Sequence, residues 1–88
     1  MIVKVRGVLL RFTNYENDIE VGGETVRAGL NELTERYPNL SEVLLDREGA
    51  VRATHLIALN GEQLSPAELD REATEDDRVD IITAVSGG

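Results

Sequence analysis

Polar and apolar positions alternate at the start of the chain. Val3 and Val5 are interleaved with Lys4 and Arg6, the two-residue period of a strand with one buried face. This predicts a first strand over Ile2 to Val5 or slightly beyond. Val8-Leu9-Leu10 prolongs the apolar run past Gly7, where a bulge or bend is expected. Asn14 to Asn17 supplies turn chemistry. Ile19 and Val21 then alternate with Asp18 and Glu20, predicting a second strand and an antiparallel hairpin with an irregular connection.

After Gly22-Gly23 the period changes. Val26, Leu30, Leu33 and Tyr37 fall on one helical stripe. Arg27, Asn31, Glu32, Thr34 and Glu35 fall largely on the other side. Thr25 is placed to cap the helix, and Pro38 disfavours helical geometry at Tyr37, so the helix is expected to end near Arg36. Gly29 inside it weakens the helix by about 1 kcal/mol relative to alanine, which points to close packing on the sheet. Leu40, Val43, Leu44 and Leu45 fit a short helical turn, and Asp46 to Gly49 a loop.

The clearest hairpin is His55 to Leu59, a type I′ pair Asn60-Gly61, and a return strand beginning at Glu62 to Leu64. Ser65-Pro66 opens a short helical or looped stretch through Leu69. A last strand, Arg78 to Thr83, carries Val79 and Ile81 on one face and Ile82 on the other, where Ile82 is open to a partner. One main helix on a sheet of several strands is an α+β layer arrangement. Residues 1–84 read as one folded unit and 85–88 as a tail.

Composition narrows the chemistry. The chain has 88 residues, enough for one small core. Aromatic residues make up 3%, so that core is aliphatic. There is no cysteine, which removes disulfides, thiolate metal sites and a side-chain thiol nucleophile. The start has no apolar signal region and no run is long enough to span a bilayer, so a cytoplasmic protein is expected. Seventeen acidic residues against nine basic ones give a formal charge of −8. Such a surface disfavours nucleic acid and speeds encounter with a basic protein surface; it also keeps a small protein in solution.

Val85-Ser86-Gly87-Gly88 follows the last strand directly. Glycine has no Cβ, so a backbone ending in two glycines passes through a narrow slot. That suits a chain whose own terminal carboxylate is the reacting group.

Four segments carry a family resemblance. Glu24-Thr25-Val26 with Leu30, Leu33 and Tyr37-Pro38, then Ile57 to Glu62, then Asp76 to Ile81, and finally Ala84 to Gly88 together resemble the β-grasp (ubiquitin-like) sulfur carriers, the family of MoaD, ThiS and CysO. The local pattern is most similar to the MoaD and CysO branch. The family's turn before the last strand commonly holds a glycine where Asp76 stands, and its proline near Thr83 and Ala84 is missing.

The resemblance implies a mixed sheet packed on one main helix. It also implies that an activating adenylyltransferase of the ubiquitin-activating type, using ATP and Mg²⁺, adenylates the Gly88 carboxylate. A sulfur donor then displaces AMP, and the resulting thiocarboxylate delivers sulfur to a biosynthetic enzyme of the molybdopterin, cysteine, thiamine or specialised-metabolite type. Gly87 serves passage of the tail. No cofactor is bound by the chain itself, which acts as a co-substrate rather than an enzyme, or as the small subunit of an enzyme complex. The alternative is a ubiquitin-like modifier joined to lysines through Gly88; a third reading is an interaction domain with an inert tail. Other constellations are weak. His55 has no cysteine to pair with and is expected at a strand edge or surface. Asp76, Asp77 and Asp80 lack calcium-loop spacing. Ser65 and Ser86 lack a nearby base, and Gly22-Gly23 is too short for a phosphate loop.

Overall fold

A computed structural model describes residues 1–83. The tail 85–88 assigned from the sequence lies outside them, as does Ala84. The alternation at the start forms β1 (Ile2–Lys4), antiparallel to β2 (Asp18–Glu20), with Val3 opposite Ile19. Val3, Val5, Ile19 and Val21 all point into the core.

The bend expected at Gly7 is present, and the apolar run after it is helical. Gly7 adopts φ +63° and Gly7–Phe12 forms a 3₁₀-helix that buries Leu9 and leaves Val8 65% exposed. The chain leaves the sheet here. The following turn is closed by the buried Thr13, whose hydroxyl donates to the Glu16 carbonyl at 2.9 Å, while Asn14 and Tyr15 take left-handed φ values of 54° and 64°.

Helix α1 (Val26–Arg36) begins as expected, with the Thr25 hydroxyl accepting the Ala28 N–H at 3.1 Å. Val26, Leu30 and Leu33 are buried, and so is Gly29: a Cβ there would lie 2.5 Å from Met1 Sδ and 3.2 Å from Val21 Cγ2. Thr34, expected on the outer side, is buried instead, because its hydroxyl donates back to the Leu30 carbonyl at 3.1 Å and needs no water. Pro38 does more than stop α1. It opens a second helix, α2 (Pro38–Leu44), which buries Leu40 and Leu44. A proline in the first turn sacrifices no intrahelical bond.

Asp46 closes the next loop, its Oδ1 accepting N–H groups of Glu48 and Ala50 at 2.8 and 3.0 Å. The hairpin has the expected bounds: β3 (His55–Leu59), Asn60 and Gly61 at φ 51° and 87°, and β4 (Glu62–Leu64). Ser65 and Glu68 form a reciprocal capping box on a single 3₁₀ turn. The last strand, β5 (Arg78–Thr83), also has its expected bounds. The turn before it is held by Asp77, whose Oδ2 accepts the Thr74 N–H at 2.7 Å. Asp76 stays out of the left-handed region, so a glycine is not required there.

Among the described residues the five strands form one mixed sheet in the order β2-β1-β5-β3-β4. β5 is central. It runs parallel to β1, with Val3 beside Val79 and Lys4 beside Asp80, and antiparallel to β3 over five residue pairs from His55↔Thr83 to Leu59↔Val79. Side chains from α1, α2 and the inner face of the sheet join in one buried cluster.

Candidate functional site

β5, which precedes the candidate tail in the sequence, is the middle strand of the sheet. Thr83 closes β5, directly opposite His55, the first residue of β3. His55 is half-buried rather than a free surface group. Its Nε2 lies 3.0 Å from the Val43 carbonyl in the last turn of α2, so Nε2–H donates there. That leaves Nδ1 to accept the Thr83 hydroxyl, 3.4 Å away. One side chain thus ties the end of β5 to the end of α2. Both ring nitrogens have a hydrogen-bond partner in the fold.

On the outer face, Arg6, Gly7 and Val8 and residues 80–83 line a shallow groove of about 450 Å³. Ile82 is 46% exposed and forms part of it with Val8, so the outward position expected for Ile82 is what the structure has. Asp80 sits deeper, with its side chain 14% exposed. Arg78 Nε approaches its Oδ2 at 3.3 Å, and Arg6 Nη2 lies 3.8 Å from its Oδ1, which makes no hydrogen bond. The carboxylate is neutralised by two guanidinium groups, one from β5 and one from the segment after β1.

The remaining acidic candidates serve the fold. Asp77 accepts from the Asn60 side-chain amide at 2.9 Å as well as from Thr74. These bonds, that of Asn60 foremost, hold its carboxyl below the usual aspartate range. Glu68 is lowered in the same way, by the backbone N–H of Ser65 first and its hydroxyl second. Ser65 is thereby committed as a cap. Among the described residues no three His, Asp or Glu side chains gather to hold a metal ion, and no helix is long and apolar enough to cross a membrane.

Gly87 and Gly88, with Val85 and Ser86, lie beyond the described residues, of which Thr83 is the last. Sequence reasoning did not find Arg6, Val8 or the His55–Thr83 contact. Arg6 continues the outward phase of Lys4, but only the parallel pairing of first and last strands brings it beside β5.

A five-stranded mixed sheet in this order, with first and last strands parallel at its centre and a long helix across one face, defines a ubiquitin-like β-grasp protein. The chain belongs to the ThiS family, whose model matches residues 3–88. No curated protein matches it in sequence. It is similar to a chain of the Amycolatopsis orientalis BexX/CysO complex, at 25% identity and TM-score 0.83, covering 99% of this chain and 98% of that one. Mycobacterium tuberculosis CysO has 26% identity and TM-score 0.81, with 96% and 98% covered. Small archaeal modifier protein 1 from Methanosarcina acetivorans has 26% identity and TM-score 0.83, with 99% and 94% covered. By fold and family the chain is a ubiquitin-like sulfur carrier of the MoaD, ThiS and CysO type.

Proposed function

We propose that the protein carries sulfur on its own chain end, with Gly88 as the reacting residue and Gly87 as the element that lets the tail enter a partner. The observation that carries this reading is the family match running through Gly88, in a sequence that reads Val85-Ser86-Gly87-Gly88 after its last strand. A partner adenylyltransferase uses ATP and Mg²⁺ to join the Gly88 carboxylate to AMP, releasing pyrophosphate. A sulfide sulfur attacks that carbonyl carbon, the bond to the phosphate oxygen breaks, AMP leaves, and a thiocarboxylate remains. A persulfide donor first gives an acyl disulfide, whose S–S bond a second thiol of the donor cleaves, leaving the thiocarboxylate on the carrier and a disulfide on the donor. A second, biosynthetic enzyme accepts the sulfur. The body contributes a rigid base for the tail and a partner-facing patch around Ile82 and Val8; it supplies no general acid or base. A cytoplasmic location fits exchange with an ATP-dependent partner.

Likeness to a CysO found in complex with another protein supports a dedicated partner. Likeness to a protein named as a modifier favours a second reading, conjugation to lysines through Gly88. Intact-mass analysis of protein from its native host separates them. Replacement of one oxygen by sulfur at the chain end is expected for a carrier, while Gly-Gly remnants on lysines of other proteins mark a modifier. Removing Gly87 and Gly88 abolishes sulfur loading if the reading is right; loading that survives this truncation sinks it.

A further inference from the structure

An activated carboxyl attached to a protein is surrounded by that protein's own nucleophiles. With no cysteine in this chain, the most reactive of these are amines. Its cations are strongly biased: of nine basic residues only Lys4 is a lysine, and the other eight are arginines. The difference is chemical. A lysine ammonium releases a reactive amine on losing its proton, whereas a guanidinium stays protonated throughout the physiological range and does not accept acyl groups.

The positions of these groups matter more than their number. Five residues follow Thr83 up to Gly88, a span of at most about 17 Å when extended. Arg6 lines the groove at the end of β5 together with Thr83, and its side chain is 74% exposed. A lysine at that place would stand within reach of Gly88. Lys4 lies beside Asp80 in the parallel ladder, also within the length of the tail, but its ammonium pairs with Asp18 of β2 at 3.2 Å. β2 is on the opposite side of β1 from β5, so that contact turns the amine away from the tail. The Met1 amine is buried and donates to the Val21 carbonyl at 3.0 Å.

We propose that the surface around the tail is kept free of nucleophilic amines. Arginine supplies positive charge where a lysine would capture the activated Gly88 acyl group, and Asp18 restrains the one lysine. The inference rests on Gly88 being activated. The reaction avoided is attack of an unprotonated amine on the Gly88 carbonyl carbon. A C–N bond forms, the bond to the leaving group breaks, and the amine proton passes to water. The product is a closed chain that can no longer take up sulfur.

The test needs no activating partner, so its outcome is separate from that of the functional reading. The full chain is prepared with a simple thioester at Gly88 by thiol cleavage of an intein fusion and held at mildly alkaline pH. Products are read by intact mass and peptide mapping. The parent is expected to hydrolyse, with little closed amide. Arg6→Lys keeps the charge and should raise the closed amide about tenfold or more, because a tethered amine acts at an effective concentration in the millimolar range. Asp18→Asn should raise closure through Lys4 about two- to fivefold, the range of an exposed ion pair, and Lys4→Arg should remove it. The melting curve of each variant checks that the fold is kept. Parent protein closing through Lys4 as fast as the Arg6→Lys variant closes would overturn the proposal. So would a folded Arg6→Lys variant with no more amide than the parent.

Discussion

Gly23 holds φ +103°, and a Cβ there would lie 2.8 Å from the Ala28 Cβ and 3.2 Å from the Gly29 nitrogen. The first turn of α1 is therefore packed against bare backbone. Gly23→Ala is expected to cost about 2 kcal/mol, because strain at that φ and a clash with backbone act together; a lower urea midpoint at unchanged slope is the measurement. His55→Leu should cost about 1–2 kcal/mol by the same assay, since it strips the half-buried Val43 carbonyl of its donor. Asp77 adds a pH dependence. Its carboxyl is held below the usual range by Asn60 and Thr74 in the folded state, so the stabilisation is full above the unfolded-state value and is lost as pH falls through the lower folded-state value. Asp77→Asn should then be less stable than the parent near neutrality, with the gap closing in strong acid, as read from urea midpoints across pH. None of these roles was legible in the sequence. Gly23 could be seen only as the end of a strand, and His55 and Thr83 are 28 residues apart.

At the level of elements, the sequence was informative wherever a local rule decided the outcome. Thr25, the apolar stripe and Pro38 fixed both ends of α1, and Asn60-Gly61 fixed the register of β3 on β4. Thr25→Ala is expected to cost about 1 kcal/mol, the ordinary value of a lost N-cap, again by urea midpoint. Local rules failed where tertiary packing chose among apolar residues. In Val8-Leu9-Leu10 only Leu9 is buried, because Gly7 turns the chain out of the sheet before the strand period can continue. Pro38 was read as an end alone, although its fixed φ also suits the first turn of the next helix. The order of the strands was the least legible feature. The parallel pairing of β1 and β5 joins residues more than seventy positions apart, and nothing in either segment specifies a parallel neighbour.

The whole molecule carries a charge of −8 beside an outer patch in which Ile82 and Val8 are exposed between Arg6, Arg78 and Asp80. If the proposed loading takes place on a partner with a basic surface, long-range attraction speeds their encounter and the apolar patch sets how long the pair stays together. Two outcomes follow. Loading at low carrier concentration should slow as salt rises, with association falling more than turnover. Ile82→Asp should leave the melting temperature nearly unchanged and raise the KM for loading about tenfold, the effect expected from losing one central apolar contact. The central placement of β5 has a mechanical consequence as well. A pull on the chain beyond Thr83 is directed along the strand, so it loads the ladders to β1 and β3 together in shear, and many bonds must yield at once. An edge strand pulled the same way would be held by one ladder instead of two. Tension applied at Thr83 is therefore shared between two neighbouring strands.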